Sequence, residues 1–412
     1  MPAMLSILLC FAAAEASAQQ GIYTRIQKVR DAAGKDHVAY VNIDAKHSQA
    51  AVEYLPQSIK CGPFKTGHVQ GIAVDVRNRA IYCSFTSLLA KYDFDGKLIG
   101  TVSGLLGHLG CLDFNEADGK IYGSLEYKDD NIGRGILERE GSKRRFSNNF
   151  YVAVIDGSKI TRTGMDGERD GVMKVVSLPT VVADYSDTVE VAPGRRLPHR
   201  FACSGIDGIS FGPKIGETAG RGLLTVAYGV YGDTNRPDNN YQVLLQYDIA
   251  DWDKKYAAPL SLDKPVFAGP KKPAGQYFVH TGSTDWGVQN LEYDAATQTW
   301  YMAVYRGKKS EFPNYSMYAF KASSKPAKQT PEGIPYYKGK AKVITRQMLI
   351  GGLHDAATGI SGWNFPFGST GLHALGAGYF YISENGHESG GDNTTVRLYR
   401  RTTEKEGFVR VE

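Results

Sequence analysis

Little in this chain assigns a function at first sight. Its 412 residues contain only 5 cysteines and 4 tryptophans. No Cys-x-x-Cys, no His-Glu-x-x-His and no Gly-x-x-x-x-Gly-Lys-Ser/Thr occurs, which disfavours a zinc knuckle, the common zinc proteases and mononucleotide folds. Charge of one sign is scarce as well. The formal net charge of +5 is spread along the chain, and the one dense basic cluster, Lys143-Arg144-Arg145, lies in a polar stretch. That leaves no electrostatic footprint for nucleic acid.

Long apolar runs are missing apart from Met4 to Ala14. That run is too short to cross a bilayer, and Ala16-Ser17-Ala18 behind it has the small-x-small pattern of an export-signal cleavage site. Residues 1–18 therefore read as a signal peptide, with a secreted or periplasmic product and no transmembrane segment. Cys10 follows Leu9, where a lipid anchor wants a small residue. Cys61, Cys83, Cys111 and Cys203 remain after cleavage and read as buried thiols or one structural bridge.

What the chain has is repetition, rich in its 25 tyrosines and 47 glycines. Gly71-Ile72-Ala73-Val74-Asp75 is followed by a tight turn, Ala80-Ile81-Tyr82-Cys83-Ser84-Phe85, Leu89-Ala90-Lys91-Tyr92-Asp93 and Leu98-Ile99-Gly100-Thr101-Val102. The same order of short strands and turns restarts near Leu112, Ile209, Leu291 and Leu372. Such a period predicts an all-β chain, a β-propeller of four-stranded blades. Five blades can be counted. Insertions at 179–204, 258–285 and 347–370 leave room for six or seven. Residues 61–412 are expected to form one propeller domain and a monomer. The N-terminal segment 19–60 holds a strand candidate, His37 to Ile43, placed to close the ring, and Lys342 to Arg346 is expected as the last strand of blade four.

In a propeller the link into each blade and the link between its second and third strands open on one face. Here the long segments 128–149, 229–240, 307–314 and 384–395 fall on that face, which marks it as the working one. Aligning the copies superimposes His68-Val69-Gln70-Gly71 on His108-Leu109-Gly110-Cys111, Gly205-Ile206-Asp207-Gly208 and Gly287-Val288-Gln289-Asn290, with Thr370 or His373 nearby. His68, Gln70, His108, Asp207 and Gln289 should ring the channel mouth. Either histidine alone reads equally well as a partner for neighbouring backbone.

Three further segments carry chemistry. Tyr185, His199 and Arg200 precede Asp207, and an arginine there can hold a carboxylate while histidine or tyrosine moves a proton. Tyr228, Tyr231, Arg236 and Tyr241 sit among glycines, a composition suited to a sugar ring, although strand-end tyrosines and turn residues explain about half of it. Trp286 and Gln289 lead into blade four. Glu384, His387, Glu388 and Asp392 match no trusted metal spacing and read as a solvated acidic loop, so no residue is assigned to a metal.

The first blade, with Gly71-Ile72-Ala73-Val74-Asp75 and Lys91-Tyr92-Asp93-Phe94-Asp95-Gly96-Lys97, resembles the repeats of gluconolactonase-like and NHL-type propellers. That resemblance implies a divalent ion such as calcium on the axis, although the His/Gln-rich ring departs from the acidic and amide ligands of those enzymes. The His/Tyr/Arg set looks more like secreted propeller polysaccharide lyases such as ulvan lyases. It implies β-elimination on a uronic-acid glycan, with Arg200 neutralising the carboxylate, His108 or Tyr185 as base, and Tyr241 or Tyr231 as acid. The competing expectations are a non-catalytic glycan- or protein-binding propeller and a metal-dependent phosphoesterase or nucleotidase.

Overall fold

The computed structural model describes residues 22–44, 49–345 and 352–412; the signal-peptide stretch lies outside them. Five sheets stand around one axis. Blade I is the meander Gly71–Asp75, Ala80–Phe85, Leu88–Asp93 and Leu98–Ser103. Blade II is His108–Asn115, Lys120–Tyr127, Asn149–Ile155 and Met173–Ser177. Blade III is Cys203–Gly212, Leu223–Val230, Tyr241–Tyr247 and Gly275–His280. Blade IV is Thr284–Asp294, Thr299–Arg306 and Met317–Lys321, with Trp363 bridging to Met317 at its outer edge. Blade V is Leu372–Gly376, Tyr379–Glu388 and Gly391–Arg401.

Each inner strand packs on the inner strand of the next blade, and blade V returns to blade I. Blade faces therefore bury one another. Ala80–Phe85 is buried at every position, which is why these strands read as continuous apolar runs rather than alternating ones. The first turn of a blade is fixed by its own acid: Asp75 accepts from the Asn78 backbone at 3.0 Å and from its amide at 2.6 Å, and Asp294 does the same work for Ala296 and Thr297. These are side-chain turns of the Asx kind.

Four expectations change. The strand that closes the ring is Ser58–Phe64, antiparallel to Gly391–Arg401, and it shares that edge with Phe408–Arg410. Asp36–Asp44 instead pairs with Ile22–Arg30 and Gln49–Tyr54 in a separate sheet. Ala341–Ile344 adds in parallel to blade III rather than finishing blade IV. The insertions hold no extra blade among the described residues: 258–285 supplies the fourth strand of blade III, and 179–204 folds into the helix Pro179–Ser186 and the hairpin Thr188–Ala192 with Arg195–Pro198. The segment 384–395 is no loop, because both strands run on into a long hairpin.

All four described cysteines are buried and free. No helix among the described residues is long and apolar enough to cross a membrane.

Candidate active site

At the mouth of the axis, on the predicted face, four ionisable side chains from blades II and III converge. His108 opens the inner strand of blade II and lies opposite Glu126 in register. Its Nδ1 is 3.5 Å from Glu126 Oε1 and 3.6 Å from Asp207 Oδ1, on the inner strand of blade III. Lys128 Nζ meets Glu126 Oε1 at 2.5 Å and donates to the Ser204 carbonyl at 2.9 Å. Glu126 Oε2 accepts the Ile206 amide at 3.0 Å. Gln289, from blade IV, donates to Asp207 Oδ2 at 3.2 Å and to the Trp286 carbonyl at 3.0 Å.

Small residues make the space. A Cβ on Gly110 would sit 2.5 Å from Ser124 Oγ and 3.0 Å from Asp207 Oδ1, and one on Gly205 would overlap the Glu126 carboxylate. Side-chain exposure sorts the four ionisable groups into two ranks: His108 and Asp207 keep 12% and 13%, whereas Glu126 and Lys128 keep 2% and 4%. The first pair faces outward and the second holds it from behind. Beside them a cavity of about 10 Å³, large enough for roughly one water, is lined by His108, Glu126, Lys128 and the helix Asn131–Arg139.

The electrostatics follow from burial and neighbours. Burial pulls the His108 pKa down, but the neighbouring carboxylates of Glu126 and Asp207 outweigh it and leave it above the ordinary histidine value. Burial pushes Asp207 up to about 7, against the pull of His108. Glu126 ends below its usual range because Lys128 and His108 overcome its desolvation. Lys128 is raised despite burial by Glu126, Asp130 and Asp207. The Lys128 ammonium balances the Glu126 carboxylate, so the charge of the cluster follows His108 and Asp207.

An aromatic shelf adjoins it. Ring centroids run Tyr185 to His199 at 4.5 Å, His199 to Tyr231 at 5.1 Å and Tyr231 to Trp286 at 5.6 Å. His199 and Trp286 hold this arrangement with φ of 65° and 66°, and Phe201 and Ala202 beside His199 are at 56° and 53°. Non-glycine residues rarely adopt such angles, and where they cluster they mark functional sites.

The remaining predicted residues are placed as follows. His68 and Gln70 bond each other at 3.1 Å on blade I, and burial followed by the nearby charge of His108 keeps His68 below its ordinary pKa. Arg200 is bound to Asp187, with its Nε donating at 2.8 Å, and lies 3.6 Å from Asp184. Arg236 is buried, donating to both oxygens of Asp238 and to the carbonyls of Pro198 and His199, so it props the shelf from behind. Tyr228 is fully buried with its hydroxyl on Asp184 at 2.7 Å. Tyr241 accepts the Glu332 amide at 3.1 Å and packs at a tilt against His280, neither of which belongs to the cluster. Glu384 is spent on Arg397, Tyr399 and Arg410, and His387 on Asp392.

The structure thus unites His108, Asp207 and Gln289 with Tyr185, His199, Tyr231 and Trp286. Glu126 and Lys128 were missed. The available signal was an acid and a base two positions apart at the end of an otherwise apolar strand, which puts both on one face. Gly208-Ile209-Ser210-Phe211-Gly212 has the spacing of a hydrolase nucleophile elbow, but it stays in an extended strand. Ser210 is buried there, donating to the Phe211 carbonyl at 3.4 Å and accepting from the Tyr293 amide at 3.2 Å.

His108, Glu126 and Asp207 have donor atoms within 4.8 Å of one another, close enough to ligate a cation. The Lys128 ammonium on Glu126 already supplies the positive charge there, and a divalent ion beside it would be repelled. The group fits proton transfer better than calcium, which takes six to eight oxygens.

No protein-family model matches the chain, and no curated protein matches it. Solved structures similar to it include a Bacteroides caccae protein of unknown function, with 10% identity, 69% of this chain and 86% of that chain covered and a TM-score of 0.29, and three proteins named as sugar enzymes. A glucose dehydrogenase shares 11% identity, with 83% of this chain and 99% of that chain covered and a TM-score of 0.37. The soluble aldose sugar dehydrogenase of Escherichia coli shares 10%, covering 82% and 97% with a TM-score of 0.31. The periplasmic gluconolactonase of Pseudomonas aeruginosa shares 10%, covering 95% and 100% with a TM-score of 0.29. The resemblance to ulvan lyases finds no support in these structures.

Proposed function

We propose that this chain is an exported carbohydrate-active enzyme that cleaves a uronic-acid-containing glycan by β-elimination at the His108–Asp207 cluster. The observation that carries this reading is the convergence of His108, Asp207 and Gln289 beside the Tyr231–Trp286 shelf. A sugar ring stacked on the shelf presents its carboxylate to the His108 imidazolium, which takes the place expected for Arg200, while Gln289 orients Asp207. Asp207 as carboxylate removes the proton from the carbon bearing that carboxylate. The C–H pair becomes the ring double bond, the neighbouring C–O bond breaks, and the leaving oxygen takes the proton back from Asp207. Glu126 and Lys128 hold His108 charged and in place. A carboxyl poised near neutrality suits both halves of that transfer.

The test is incubation of purified protein with a panel of acidic glycans, read by unsaturated-uronate absorbance and by new reducing ends. Both signals are expected, and both are expected to vanish in Asp207→Asn. New reducing ends without the absorbance overturn elimination in favour of hydrolysis. Neither signal, together with retention on a glycan array, overturns catalysis in favour of a binding propeller.

A further inference from the structure

A second cluster lies further down the same axis. Asp113 comes from the inner strand of blade II, Glu292 from that of blade IV and His373 from that of blade V. Blade II is not a neighbour of blades IV and V in the ring, so these side chains meet only across the lumen. All three are buried, and their donor atoms lie within 4.8 Å of one another. Each carboxylate is already oriented by backbone. Asp113 accepts the Phe211 and Phe114 amides at 2.7 and 2.8 Å, and Glu292 Oε1 accepts the Ala374 amide at 2.9 Å.

Two atoms are left over. Glu292 Oε2 and His373 Nδ1 are buried with no hydrogen-bond partner, and His373 Nδ1 stands 3.8 Å from Asp113 Oδ1. Buried polar atoms are nearly always satisfied, so an orphaned carboxylate oxygen and an orphaned imidazole nitrogen in one group call for an explanation. No lysine or arginine pairs with this group among the described residues, in contrast to the mouth, where Lys128 fills that role.

We propose that Asp113, Glu292 and His373 bind one divalent cation of the zinc class on the propeller axis, as a pin between blades II, IV and V. One imidazole nitrogen and two carboxylates form the mixed nitrogen–oxygen set such ions take. Metal–ligand bonds of about 2.1 Å place tetrahedral neighbours about 3.4 Å apart, so the group closes by small side-chain movements. Calcium wants a larger, all-oxygen shell. The pin gives the ring a central tie that its free cysteines do not provide.

The experiment strips the full-length protein with chelator, adds zinc chloride, removes loose metal by desalting, and measures bound zinc by mass spectrometry alongside the melting temperature. Wild type is expected to keep one equivalent and to melt several degrees higher with zinc. Glu292→Gln and His373→Ala are expected to keep less than a tenth of that. Glu126→Gln, at the mouth, is expected to keep it all. Should either axial variant fail to fold, cobalt substitution of the wild type replaces it, with visible d–d bands of a nitrogen–oxygen site expected. The proposal is overturned if wild type retains no zinc and shows no cobalt bands, in which case a shared proton joins the two carboxyls. It is also overturned if the axial variants keep a full equivalent, or if only Glu126→Gln loses it.

Discussion

Glu126 stands directly across the strand pair from His108, and its carboxylate reaches both the His108 ring at 3.5 Å and the Lys128 ammonium at 2.5 Å. One buried acid thus fixes the charge of the group that faces the mouth. Several outcomes depend on that arrangement.

Removing the acid–base carboxyl should stop turnover without unfolding the protein. Asp207→Asn keeps a hydrogen-bonding partner for Gln289 and is expected to lower kcat by about 10²–10⁴-fold, with KM changed by little. Steady-state kinetics beside a thermal melt separates this from misfolding.

Breaking the buried pair behind His108 acts mainly on stability. Lys128→Ala leaves the Glu126 carboxylate without its cation and is expected to cost about 3–5 kcal/mol. The double change Glu126→Gln with Lys128→Met should regain much of that loss, because neither member of the pair is left charged without the other. Urea unfolding of the two variants decides it.

Activity should show a bell in pH. Asp207 must be ionised to remove a proton, so kcat/KM is expected to rise through pH about 7, the value to which burial raises it. It should fall again where the His108 imidazolium, held above the ordinary histidine pKa, gives up its proton. An Asp207→Glu variant with a shifted acid limb would tie that limb to this side chain.

A different carboxyl governs stability against pH. Burial raises Asp184 to about 6, opposed by the Tyr228 hydroxyl and Arg200. Its folded pKa exceeds the unfolded value, so the folded state holds the proton longer, and the full stability is present below about pH 4. Between pH 4 and 6 wild type is expected to lose up to about 3 kcal/mol relative to Asp184→Asn. Denaturant melts at the two pH values measure the difference; equal slopes would refute it.

The shelf should act on binding alone. Trp286→Ala and Tyr231→Ala are expected to raise KM about 5- to 20-fold, from a stacking loss of about 1–2 kcal/mol, with kcat nearly unchanged. Arg236→Ala should instead destabilise the whole protein, because it strips a buried Asp238 of its partner.

The sequence carried the ring and part of the site for a simple reason. Inner strands repeat in register, so aligning their first residues was enough to bring His108, Asp207 and Gln289 to one mouth although 181 positions separate the first from the last. Glu126 escaped because it belongs to a second strand, whose end reaches the mouth only through antiparallel pairing with His108. Arg200 and Arg236 looked available for substrate because their partners, Asp187 and Asp238, are acids of the same loops, and sequence does not tell a solvated loop acid from one folded back on an arginine. The fourth strand of blade III was obscured by the long excursion that precedes it, and the deep axial trio because Asp113 and Glu292 lie past the aligned first residues of their strands.

The closing strand also sets an order of events. Ser58–Phe64 completes the last blade, and the Tyr381 hydroxyl donates to the Pro56 carbonyl across 325 positions of chain. The closing strand, made before every blade, has no partner until the final blade has been synthesised, so the ring cannot close during chain elongation. Contacts of such long range fold slowly, and until closure the outer edge of Gly391–Arg401 is an open template for another strand. A truncation ahead of Phe64 would make that transient edge permanent and turn a self-contained ring into a chain that pairs with its neighbours.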